Sequence, residues 1–113
     1  LEEFEKSIDK CRTLDADHFV TFHHKWVISG RDDFLAALDN FANVIVNREL
    51  SMLEYLREPR SLNECAERRF VYRPHVEMTF VTHVELRSAQ IHLARMVGDG
   101  RVIEMDDGKF RAA

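Results

Sequence analysis

Residues 82–111 read THVELRSAQIHLARMVGDGRVIEMDDGKFR, and two periodicities meet within them. Leu86, Ala89, Leu93 and Val97 recur at three- and four-residue steps, the spacing of one helix face. Thr82 and Glu85 stand in the relation of a capping box, which would open such a helix. Gly98-Asp99-Gly100 ends it, because glycine is suited to the left-handed cap. Arg101 to Met105 and Lys109 to Arg111 then pair as a β-hairpin across Asp106-Asp107-Gly108.

Upstream of this stretch, Ser61-Leu62-Asn63-Glu64 is a second capping box and starts a short helix to about Arg69. Before it, Phe34, Leu38, Phe41, Ile45, Leu53 and Leu56 hold helical spacing, with Asp32 and Asp33 at the helix start. Pro59 closes that long helix, since the residue before proline is pushed out of the α region. The linker from Phe70 to Val81 is longer than a tight turn and is compatible with a strand or an irregular loop. Long helix, short helix, third helix and terminal hairpin is the order of a winged helix-turn-helix, so residues 31–113 are expected to form one.

Residues 1–30 have a different pattern. Leu1, Phe4, Ile8 and Cys11 read as the last turns of an amphipathic helix. His18-Phe19-Val20-Thr21-Phe22 reads as a short strand. A loop, His23-His24-Lys25, follows, then the apolar patch Trp26-Val27-Ile28 and the turn Ser29-Gly30. The fold class is thus mainly α with a small β-hairpin. The chain opens at Leu1, already inside a helical pattern, and its natural start is expected upstream.

Charge and cysteine content narrow the function classes. Residues 1–47 carry nine acidic and five basic side chains, whereas residues 48–113 carry eleven of each. A DNA-reading winged helix would present Arg87, Gln90 and Arg95 to base edges and Lys109 and Arg111 to phosphate. Affinity for nucleic acid rests on neutralising phosphates, and a half without net charge argues against that partner. Cys11 and Cys65 have no C-x-x-C spacing, which favours reduced thiols and a cytoplasmic location. No apolar run approaches the ~20 residues that span a bilayer, so no membrane association is expected.

The sequence holds no glycine-rich phosphate loop, no G-x-S-x-G and no H-E-x-x-H. Asp15 and Asp17 sit beside a turn and read as turn residues. Of six histidines, His75, His83 and His92 stand apart and read as structural or surface residues. His18, His23 and His24 are denser, yet no Cys, Asp or Glu joins them at a known metal spacing.

The string from Leu14 to Arg31, with its acidic residue, histidine loop, Val27-Ile28 and Gly30-Arg31, resembles the last strand and loop of metallo-β-lactamase-fold hydrolases. Val84-Glu85-Leu86 through Arg101-Val102 resembles the winged-helix extension that many of these hydrolases carry. The resemblance implies an αββα sandwich, of which residues 1–30 are the C-terminal end. It also implies one or two metal ions, usually zinc, activating water against ester, thioester, amide or phosphodiester bonds.

His23 matches the family's final metal ligand. The usual flanking glycines are Phe22 and His24 here, so His24 is the alternative ligand. The family's main motif, H-x-H-x-D-H, is absent from these residues. A chain with one ligand is not expected to hold zinc tightly or to catalyse alone, because about three or more protein ligands are required. Its expected partner is the remainder of a parent hydrolase, with a homodimer as an alternative. Phe4, Ile8, Phe19 and Phe22 are expected to form an exposed patch without that remainder. The other reading is a free-standing winged-helix interaction or DNA-binding regulatory module.

Overall fold

The computed structural model describes residues 1–20 and 27–113. Its described residues form four helices and two small antiparallel sheets, and they pack as two compact units, Leu1–Val46 and Asn47–Ala113.

The first unit starts with α1 (Glu2–Cys11), whose Glu2, Glu3 and Glu5 in the first turn and Lys10 in the last complement the helix dipole. Beyond its end, the Arg31 guanidinium donates to the carbonyls of Arg12 and Leu14, each at 2.6 Å. Strand β1 (His18–Val20) pairs with β2 (Val27–Ser29) in the register His18↔Ser29, Phe19↔Ile28. The expectation of one small hairpin is therefore corrected to two sheets, for Val27-Ile28-Ser29 is a strand and not a loose patch and turn. Gly30, at φ +91°, makes the turn out of β2, and its N–H donates to the Asp17 carbonyl at 2.9 Å.

Helix α2 (Arg31–Tyr55) begins in this unit. Its Phe34 stacks on Phe19, ring centroids 3.7 Å apart, and both are buried together with Ile8 and Ile45. The expected exposed patch is corrected accordingly: Phe4 is exposed, beside Phe41, but Ile8 and Phe19 are core. Phe22 lies outside the described residues.

In the second unit, the end of α2 packs with α3 (Leu62–Arg68), α4 (Val81–Gly98), β3 (Val102–Glu104) and β4 (Phe110–Ala112). Met52, Leu56, Cys65, Ala89, Leu93, Met96 and Val102 form its core. Each large aliphatic side chain buried here contributes about 1.5–3 kcal/mol. Burial also pushes the Cys65 thiol up to about 11, so it stays protonated and packs as a small apolar group.

Local signals set the ends of these elements. The Ser61–Glu64 capping box forms as expected, the Ser61 hydroxyl accepting from the Glu64 N–H and the Glu64 carboxylate from the Ser61 N–H, both at 3.1 Å. At the end of α4, Gly100 takes φ +84°, and Arg101 N–H reaches the Met96 carbonyl while Gly100 N–H reaches Val97. These two bonds make a Schellman cap. The terminal hairpin pairs Val102↔Ala112 and Glu104↔Phe110. Arg60, just before α3, exchanges two backbone bonds with Phe110 at 2.9 and 2.7 Å, extending the sheet by one bridge.

The second expected capping box does not form. Helix α4 starts at Val81 after Phe80, with no side-chain cap. Glu85 is buried, and its carboxylate instead accepts the N–H groups of Phe70, Val71 and Tyr72 at 2.7–3.2 Å. From the other side, Arg69 (φ 59°) donates to the carbonyls of Arg73, Pro74 and Val76. The linker is thus an irregular loop whose backbone groups are satisfied by two charged side chains, with no need of a strand.

Candidate functional site

The proposed metal ligands, His23 and His24, lie outside the described residues. His18 is exposed, its Nδ1 3.0 Å from the Ser29 hydroxyl, and His75 and His83 are exposed too. Among the described residues no group of three or more His, Cys, Asp or Glu side chains could hold a metal ion. These residues therefore do not fit a resident metal by themselves, and no catalytic step is assigned to them.

What the fold does assemble is a buried ionic cluster in the second unit. Glu49 on α2 and His92 on α4 are 3% and 2% exposed, with His92 Nδ1 3.0 Å from Glu49 Oε1. A carboxylate only accepts, so this nitrogen carries the proton. Arg95 Nε lies 3.5 Å from Glu49 Oε1, and Arg101 Nη1 lies 2.8 Å from Oε2. Asp99 holds Arg101 from the other side at 2.7 Å, which lowers the Asp99 pKa and raises that of Arg101. One carboxylate thus ties α2, α4 and the turn leading into β3.

Reading single histidines as isolated missed this cluster. A signal was present: Ile45, Glu49 and Met52 share one buried stripe of α2, continued by Leu56 just past its end, as do Glu85, Ala89, His92, Leu93 and Met96 of α4. A charge on an apolar stripe needs a buried partner, and here two such charges and a histidine fall on two stripes. Because Glu49 and His92 are closed to solvent, the pair cannot meet a substrate. Its role is to hold the fold.

Burial, the largest effect, lowers the His92 pKa below its ordinary 6.5; Glu49 opposes this, while Arg48 and Arg95 add to it. The unfolded chain therefore binds a proton near pH 6.5 that the folded chain accepts only at lower pH. The associated stability is present above that value and is lost as pH falls from it toward the folded pKa. Thermal unfolding between pH 8 and 5 is expected to show this loss, and His92→Gln to flatten it. An equal pH slope in the variant would show that other groups titrate.

The residues expected to read bases divide. Arg87 and Gln90 are exposed on α4, whereas Arg95 is drawn to Glu49. Lys109 and Arg111 are exposed on the hairpin. No helix among the described residues is long and apolar enough to cross a membrane.

A second feature is an open groove of about 390 Å³ whose lining includes Ser51, Tyr55, Arg57, Arg60 and Arg68. The Arg60 guanidinium lies 4.5 Å over the Tyr55 ring, and Arg68 lies 6.0 Å from that ring and 5.2 Å from Phe70.

A solved structure, a beta-lactamase domain protein from Burkholderia ambifaria, superposes on 96% of this chain with a TM-score of 0.69 at 19% sequence identity. This chain spans 32% of that protein's length. No family profile and no curated protein matches the sequence. The likeness shows the fold: the chain is built like about a third of that larger protein.

Proposed function

We propose that this chain is the C-terminal region of a metal-dependent hydrolase of the metallo-β-lactamase superfamily. The observation that carries the reading is the fold likeness over nearly the whole chain to one third of a beta-lactamase domain protein. Residues 1–30 are read as the end of the catalytic sandwich. Residues 31–113 are read as a winged helix, supported by the order α2, α3, α4, β3, β4 and by the Arg60–Phe110 bridge, which adds a third strand position to the hairpin. In this reading the winged helix shapes access to the substrate site or makes a dimer contact, and it is not catalytic alone.

His23, or His24 in its place, would supply one ligand to zinc in the intact protein, and residues beyond these 113 would supply the others. Zinc, when bound, supplies Lewis acidity at neutral pH. The free thiols Cys11 and Cys65 accord with a cytoplasmic protein.

The first test is to read the coding frame upstream of Leu1. An H-x-H-x-D-H motif is expected within about 250 residues, the span of one large domain. In the intact protein, either His23→Ala or His24→Ala is then expected to weaken zinc affinity at least about tenfold, since even outer-shell partners are worth roughly 10–100-fold. A start codon beside Leu1 with no such motif would overturn the reading and leave a free-standing winged-helix module.

A further inference from the structure

We propose that the groove beside Tyr55 binds a small phosphate monoester through Arg60 and Arg68. This does not depend on the hydrolase reading, for the groove lies wholly within residues 47–113. The two guanidiniums come from different elements, Arg60 from the bridge before α3 and Arg68 from the last turn of α3. The Tyr55 ring lies under Arg60 and within 6.0 Å of Arg68, so an aromatic surface orders both before any ligand arrives. Ordering a guanidinium in advance reduces what is lost when it forms its hydrogen bonds.

The charges of the groove are incompletely matched. Arg57 is paired with Glu54 at 3.0 Å. Arg60 is ion-paired with two carboxylates, Glu58 at 3.3 Å and Glu64 at 3.6 Å, which hold its guanidinium in place, and its Nε is buried without a hydrogen-bond partner among the described residues. Arg68 has no carboxylate within ion-pair distance among the described residues; its one polar contact is to the Arg69 carbonyl at 3.4 Å. The Arg68 fork, unpaired among the described residues and beside an Arg60 guanidinium held in place by its own carboxylates, suits an oxyanion with several oxygens.

Glu54 and Glu58 also line the groove and repel any anion. A phosphate monoester has three terminal oxygens and can meet both guanidinium forks at once, whereas a carboxylate's two oxygens serve one fork, and this geometry favours phosphate. The Ser51 hydroxyl adds a neutral donor to the lining. A groove of about 390 Å³ falls in the small-molecule range. Residues 48–113 have no net charge, which disfavours a nucleic-acid backbone as the source of the phosphate.

The test is a titration of the 113-residue chain with phenyl phosphate, following the arginine Nε–Hε resonances by NMR. Saturable shifts of Arg60 and Arg68 are expected. Arg68→Gln is expected to weaken binding at least about tenfold, the loss of one charge-assisted contact, while leaving the backbone spectrum folded. Arg111→Gln, on the hairpin, is expected to leave the affinity unchanged. Shifts that rise linearly without saturation would overturn the proposal, as would equal affinity in Arg68→Gln. Saturation by a short oligonucleotide at concentrations far below phenyl phosphate would overturn the small-ligand assignment. Neither outcome bears on the upstream metal motif, so this inference and the hydrolase reading fail separately.

Discussion

Glu49→Ala is expected to lower the unfolding free energy by about 3–5 kcal/mol, the usual result of removing one partner of a buried ion pair. The carboxylate is 3% exposed and is met by His92, Arg95 and Arg101. Alanine leaves the Nδ1–H of His92, which is 2% exposed, without its acceptor, and an unsatisfied buried group carries its full desolvation penalty. For a domain whose total stability is about 5–15 kcal/mol, a loss of this size leaves a substantial unfolded fraction.

Denaturant titration of the variant measures the loss directly. A companion variant separates charge from packing. Glu49→Met combined with His92→Leu removes both buried polar groups and keeps volume, so it is expected to recover much of the stability, as apolar replacements of buried ion pairs do. Arg101 can then rely on Asp99, with which it is already paired. A cost below about 1 kcal/mol for Glu49→Ala would place the cluster among solvated surface pairs, whose usual worth is that small.

Glu85→Ala is expected to cost about 2–4 kcal/mol, because three consecutive N–H groups lose one charged acceptor. Glu85 Oε1 accepts from Phe70 and Val71, and Oε2 from Val71 and Tyr72. Glu85→Gln is the sharper variant. It keeps the shape but turns one acceptor into an NH2 donor, which then faces amide donors. Glutamine is therefore expected to restore less than half of the loss, with faster hydrogen exchange at residues 70–72. A glutamine variant as stable as the parent would mean that size, and not charge, holds the loop.

These two carboxylates mark where the sequence was legible and where it was not. Ser61 and Glu64 could be read in advance, because a capping box is closed within four residues and needs nothing from elsewhere. Thr82 and Glu85 have the same spacing, yet Glu85 turned to the amides of residues 70–72. The local bond competed with a site offering three donors, and the tertiary site prevailed. Strand β2 was missed for a similar reason. Val27-Ile28-Ser29 is too short to show alternation, and its partner β1 defines it.

Among candidate site residues, the histidines of the 23–24 loop were legible by resemblance alone. His92 and Glu49 lie 43 residues apart, so no spacing rule joins them. The Tyr55, Arg60 and Arg68 groove escaped notice because its arginines look like ordinary surface charge until α2 and α3 pack.

By itself the sequence determined the four helices, the terminal hairpin and the glycine at the end of α4, since periodicity, capping and left-handed turns are local properties of the chain. The tertiary structure alone decided which charges are buried and what they hold. A carboxylate on a helix stripe has no fixed meaning until the packed neighbours show whether it meets water, a histidine or a row of amides.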